Sequence, residues 1–263
     1  MKNLNFSKRL SLLASGIALA LGMASAQAAP EFSINPSALG LGGPVGPVKA
    51  DSMNGVSSQL LHTVGNTHEA IGYISYSGFG HNGANLGANF TGLNFNYGIY
   101  LEFSLKDVLI SGNINEANSI NQLTELTFTM YADPGNTNVF HQATLGSEYS
   151  IDGTVGDIPL ASGSLVAGIS SFNSLLGAAL NGNTTFNLTP QGALFFVDPM
   201  PFYDLMFNAF NNTTQAPIFG PNGLVAINSN GISDFNRVPE PGSLALLGLA
   251  LLGVHVVNRR RQA

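Results

Sequence analysis

The residues best suited to chemistry in this 263-residue chain are four of its five histidines and a scatter of acids. His62 and the adjacent pair His68-Glu69 lie in or beside two neighbouring apolar segments. Two imidazoles and a carboxylate are ligand types that hold a metal such as zinc, but the spacing does not define a complete ligand set. Histidines so placed are more often hydrogen-bonded surface groups of strands. Asp133-Pro134-Gly135-Asn136-Thr137-Asn138 alternates oxygen donors through a turn, which makes Asp133, Asn136 and Asn138 candidate calcium ligands. The run departs from the Asp-x-Asp/Asn-x-Asp/Asn-Gly order of an EF-hand. Asp-Pro-Gly-Asn is equally a plain β-turn with proline second, and that reading is preferred. Glu148, Asp152 and Asp157, around a hairpin, carry the same ambiguity.

Signatures of common chemistry are missing. The chain has no Gly-x-Ser-x-Gly elbow, Walker loop, dinucleotide fingerprint or His-Glu-x-x-His. It has no cysteine, which removes thiol nucleophiles and thiolate metal sites. No catalytic residue is assigned, no enzymatic activity is expected, and no cofactor is expected apart from the calcium alternative.

The elements that must position these residues read as strands. Six dipeptides favour two-residue hairpin turns: Asn54-Gly55, Asn82-Gly83, Asp152-Gly153, Asn181-Gly182, Asn222-Gly223 and Asn230-Gly231. Between turns, side chains alternate. Tyr97, Ile99, Leu101, Phe103 and Leu105 share one face, with Tyr100, Glu102 and Ser104 opposite; Leu126, Phe128 and Met130 oppose Thr127, Thr129 and Tyr131. Further strands are expected over 59–64, 69–77, 139–145, 158–167, 184–188, 193–197 and 224–228. Phe172, Leu175, Leu176 and Ala179 recur at helical spacing and predict a short helix over 172–180. Residues 202–210 are ambiguous, and the Gly/Pro-rich stretch 35–55 reads as a loop. The expected fold is all-β, an antiparallel β-sandwich of roughly eight to ten strands, with jelly-roll-like and Ig-like arrangements left open.

The two ends differ from the middle. Lys2, Lys8 and Arg9 precede an apolar run from Leu10 to Ala24, and small residues follow. This is a secretory signal peptide, residues 1–28, with cleavage after Ala28, or after Ala26 as a near equal. At the other end Val238-Pro239-Glu240-Pro241 is a rigid extended step, because two prolines disfavour helix. An uncharged run follows to Val257, closed by Arg259-Arg260-Arg261. That order fits a single transmembrane helix with a cytoplasmic C-terminus, short against the roughly 20 residues of a full span and so suited to a transient anchor. Residues 29–237 form the passenger domain and 238–263 the tail.

The passenger holds three basic residues, Lys49, Lys106 and Arg237, against 14 acidic ones. Nucleic acid is excluded as a partner, because phosphate binding requires several clustered cations. Twenty-five asparagines outnumber all its charged residues. Most serve turns, yet each amide offers a donor and an acceptor suited to sugar hydroxyls.

The sequence Pro239-Glu240-Pro241, an apolar helix and Arg259–Arg261 resembles the PEP-CTERM sorting signal of Gram-negative bacteria. That resemblance implies recognition and processing by an exosortase, transient residence in the inner membrane, and export to the cell surface or extracellular matrix. In the passenger, segments 96–103, 131–136, 201–215 and 227–237 resemble flocculation-associated PEP-CTERM proteins. This implies a secreted protein that associates with exopolysaccharide and promotes flocculation or biofilm aggregation, and it assigns no catalytic residues. Two alternatives stay open at this level: a hydrolase of matrix sugar using paired carboxylates, and a calcium-dependent lectin-like module.

Overall fold

The computed structural model describes residues 29–211 and 216–236; the expected signal peptide, residues 1–28, and the tail, residues 238–263, lie outside them. Eight strands dominate: β1 (Ser52–Val64), β2 (Thr67–His81), β3 (Tyr97–Ser111), β4 (Ile120–Pro134), β5 (Ile158–Phe172), β6 (Ala178–Thr185), β7 (Leu205–Asn211) and β8 (Leu224–Asn236). Each pairs antiparallel with the next in sequence. β8 then pairs back onto β1, from Leu224 opposite His62 to Ser233 opposite Met53. The main sheet is therefore an eight-stranded up-and-down barrel. The expected sandwich is corrected: alternation inside each strand is the same in both architectures, and only the pairing of the last strand with the first separates them.

Alternation does place the side chains. Tyr97, Ile99, Leu101 and Leu105 are buried, and Phe103 is partly buried against them. Leu126, Phe128 and Met130 are buried next to them on β4, while Ser104 and Thr127 are exposed. Phe103→Asp would place a carboxylate inside the barrel, and an unpaired buried charge costs several kcal/mol. Loss of the cooperative melt is expected for Phe103→Asp, with Ser104→Asp melting like the wild type. Equal melting of the two would contradict the inward assignment.

Inward glycines make the tight curvature possible. A Cβ on Gly231 would run into the Ala209 carbonyl and the Phe210 ring, and one on Gly72 into the Phe103 ring and the Ser58 carbonyl. Small residues opposite large ones fill a narrow barrel. Three of the expected turn dipeptides are corrected. Asn54-Gly55, Asn181-Gly182 and Asn230-Gly231 lie within β1, β6 and β8. Asn82-Gly83 and Asn222-Gly223 do turn, with φ of 52° and 76°, and 57° and 75°. Asp152-Gly153 ends the short strand Ser150–Asp152, with Gly153 at φ 91°.

The predicted helix over 172–180 is also corrected: Phe172 ends β5 and Ala178 begins β6, with Leu176 at φ 62° in the connection. Residues 193–197 split between the helix Pro190–Phe195 and the strand Phe196–Asp198. Thr189 caps that helix, its Oγ1 accepting from Gly192 N at 2.9 Å. Stretch 35–55 is less loop-like than expected, since it contains the strand Val48–Ala50 and the start of β1.

A small sheet of Phe32–Ile34, Val48–Ala50 and Phe196–Asp198 packs with an aromatic cluster. Phe32, Phe186, Phe196, Phe202 and Phe235 meet there with ring centroids 4.7–6.3 Å apart, spacings at which edge-to-face contacts add to burial. All eight strands and this cluster lie within 29–236, so the barrel is complete without either terminal segment.

Candidate functional site

The connection between β4 and β5 carries a hairpin, Val139–His141 with Ser150–Asp152. It lies on the outside of the barrel. Ala143 N donates to Ser58 Oγ at 2.8 Å, Tyr149 Oη to Glu102 at 2.8 Å, and Tyr100 Oη to Asp157 at 2.6 Å. Burial, reinforced by the adjacent carboxylates, holds the Tyr100 and Tyr149 phenols well above their ordinary pKa. Tyr73 packs on Phe140 and Tyr149, at 5.1 and 5.5 Å. These tyrosines therefore fasten the hairpin and are occupied by packing within the protein.

The calcium candidates sit where this connection begins. Asp133 is buried, and its carboxylate accepts from Thr137 N at 3.1 Å, Thr137 Oγ1 at 3.2 Å and Asn138 N at 2.9 Å. Asn136 takes φ 53° at the tip. Asn138 Nδ2 donates to Asp157 Oδ2 at 2.8 Å. The Asp133 carboxylate is committed to shaping the turn, so the turn reading accounts for the run.

The histidines separate across the barrel wall. His62 points outward and contacts Glu148 at 2.5 Å. Glu69 points outward and pairs with Lys106 at 2.7 Å, which holds its carboxyl below the usual value. His68, the neighbour of Glu69, points inward, as period-two alternation requires. The three cannot meet at one ion, which corrects the metal set considered for His62, His68 and Glu69. His81 pairs with Glu31 at 3.3 Å and His141 with Asp152 at 3.0 Å. Among the described residues no three His, Asp or Glu side chains cluster as metal ligands.

Inside the barrel His68 belongs to a network that the sequence reading missed. Its Nδ1 lies 2.8 Å from Asp107 Oδ1, and its Nε2 lies 2.9 Å from Asn115 Oδ1. Ser170 Oγ donates to the other oxygen of Asp107. His68 and Asp107 are no more than 1 % exposed. The carboxylate stands between serine and imidazole, so Ser170 has no imidazole base in contact, unlike a nucleophilic triad. The signal was present, because Asp107 continues the inward parity of Tyr97 to Leu105. A cavity of about 30 Å³ borders this network. Two buried acceptors on its lining, Gln59 Oε1 and Asn121 Oδ1, have no hydrogen-bond partner, and the cavity has room for about two water molecules to satisfy them.

On the outer wall Asp234 is a half-buried carboxylate. Burial, with the charge of Asp51 nearby, raises its pKa from 3.8 to about 6. Between those values the folded protein binds more protons than the unfolded chain, so stability falls as pH rises through that window and levels off above it. Asp234→Asn is expected to raise the melting temperature at pH 7 and to flatten its change between pH 4 and 6. A lower melting temperature at pH 7 would contradict this.

The sorting residues Val238, Pro239, Glu240, Pro241 and Arg259, Arg260, Arg261, and Ala26 and Ala28 at the expected cleavage site, lie outside the described residues. Residues 237–261 match the family model for the PEP-CTERM protein-sorting motif. The chain ends in a PEP-CTERM sorting motif. This motif implies processing by an exosortase and export to the cell surface. No curated protein and no solved structure matches the chain, so the comparisons add nothing to the flocculation-type likeness of the passenger. The PEP-CTERM match begins immediately after β8 ends at Asn236, which joins the sorting signal to the barrel without an intervening domain.

Proposed function

We propose that this protein is a non-enzymatic component of the extracellular matrix, sorted by its PEP-CTERM tail, that associates with exopolysaccharide and promotes flocculation or biofilm aggregation. The observation that carries the reading is the PEP-CTERM motif, joined directly to a closed barrel. The chemistry of the passenger supports it. Three cations cannot grip an acidic polymer, whereas exposed asparagine, serine and threonine can bond neutral hydroxyls. Such binding responds little to monovalent salt, since screening acts on charges.

Deletion of the gene, with complementation by wild type or by a variant changing Pro239, Glu240 and Pro241 to Ala, tests the reading. Deletion is expected to disperse the cells and release free polysaccharide. The triple variant is expected to remain at the inner membrane with its tail intact, by fractionation and intact mass, and to leave cells dispersed. Undiminished aggregation in the deletion strain would overturn the matrix role; normal extracellular release of the triple variant would overturn the sorting role.

A further inference from the structure

The outer wall of β6, β7 and β8 carries a row of side chains that internal packing does not use. Strand register sets Asn183 beside Phe207, and Phe207 beside Asp234. Their flanking neighbours Gly182, Thr184, Met206, Asn208, Ser233 and Phe235 are buried toward the interior. Alternation therefore directs all three residues outward. Asn181, two positions along β6, projects from the same face. An open groove of about 250 Å³ runs beside Phe207, between Asn181, Asn183, Ala167 and Ile169. The amides of Asn181 and Asn183 are exposed, and among the described residues neither they nor the Asp234 carboxylate has a hydrogen-bond partner.

We propose that this row is a subsite for a neutral pyranose unit of a polysaccharide, with Phe207 under the sugar's apolar face and Asn183 and Asp234 bonding its hydroxyls on either side. The proposal rests on the polysaccharide-associating reading above and gives it a place. Neighbouring strands lie about 4.8 Å apart, so the two polar groups stand roughly 10 Å apart across the ring, enough to flank one pyranose. The amide supplies donors and an acceptor, and the carboxylate supplies two acceptors. The aromatic face offers apolar area at little entropic cost. Charge selects against an acidic sugar: Lys49 and Lys106 are paired with Glu31 and Glu69, and the row itself carries a carboxylate. A second copy of this chain fits less well, because apolar contact would strip water from unpartnered amides, whereas hydroxyls would satisfy them.

The test is affinity electrophoresis of residues 29–237 through gels containing hydroxyethylcellulose, galactomannan, dextran or the neutral fraction of the cells' own matrix polysaccharide. Wild type is expected to be retarded by at least one of them. Phe207→Leu, which keeps packing but removes the ring, should weaken the interaction at least tenfold, and Asn183→Ala should weaken it measurably. Phe90→Ala, at an exposed ring elsewhere, should not. Thermal melts confirm that each variant folds. Wild-type retardation that Phe207→Leu leaves unchanged overturns the subsite. No retardation in any gel also overturns it, but leaves the broader reading standing if the protein co-sediments with flocs; without co-sedimentation both fall. If Phe207→Leu abolishes self-association in sedimentation and leaves retardation intact, the row is a protein interface and the proposal is overturned.

Discussion

Gly163→Val is expected to leave the chain unable to close its barrel. Gly163 lies on β5 facing inward, and a Cβ there would run into the Thr185 carbonyl on β6 and the Phe128 ring on β4. The ring has little room, because it stacks on Phe186 at 6.2 Å. The carbonyl has less, because backbone cannot rotate away as a side chain can. Overpacking that side chains can absorb costs about 1–3 kcal/mol. A collision with backbone exceeds that range and consumes much of a total stability of about 5–15 kcal/mol. The expected result is protein without a cooperative melt. Gly78→Ala is the matched control, because a Cβ there meets nothing within 4 Å. Its melting temperature should stay within a few degrees of wild type. If Gly163→Val melts as wild type does, β5 and β6 are not packed as described.

Asp107→Ala is expected to be the most damaging change among the polar residues of the interior. It removes the acceptor from both His68 and Ser170 in a site closed to solvent. Leaving buried donors unsatisfied costs about 1–3 kcal/mol each, so a loss of about 3–5 kcal/mol in urea unfolding is expected. The informative comparison is His68→Leu with Asp107→Leu. Replacing a buried polar pair by apolar groups of similar size is often neutral. The double variant should therefore recover most of what Asp107→Ala loses, less whatever Asn115 and Ser170 forfeit. A double variant as unstable as the single one would show that the network is required for more than its own satisfaction.

Much of this was legible in the sequence, at the level where sequence carries it. Period-two alternation assigned the inner and outer faces of β3 and β4 residue by residue, because burial acts on each strand locally. The same parity, carried two residues further, reaches Asp107, and applied to His68-Glu69 it separates the two across the wall. The sorting tail was legible because it is read as a linear motif. Closure was not legible. It depends on pairing β8 with β1, residues such as Val225 and Leu61 that are far apart in the chain, and no local pattern encodes that choice. Asn-Gly was misread at three sites for a related reason. The glycine faces the interior of a curved wall, with no room for a Cβ at Gly55 and Gly231, and the asparagine faces outward, which yields the same dipeptide as a hairpin turn. The row Asn183–Phe207–Asp234 was hidden because it depends on the register of three strands at once.

Closure also governs how such a protein behaves when many copies share a crowded space outside the cell. A strand-rich chain with open edges offers unpaired backbone to its neighbours, and edge-to-edge pairing is the route to irreversible fibres. In this barrel every long strand has a partner on both sides, so among the described residues the main sheet has no long free edge: its strands with one partner, Ala84–Leu86, Asn187–Leu188 and Ile218–Phe219, are two or three residues long. Any cohesion such copies lend to a surrounding gel must then pass through side chains on the outer wall, as many weak contacts that form and release independently. A gel linked in that way would yield and heal under shear, where one linked by shared β-structure would set.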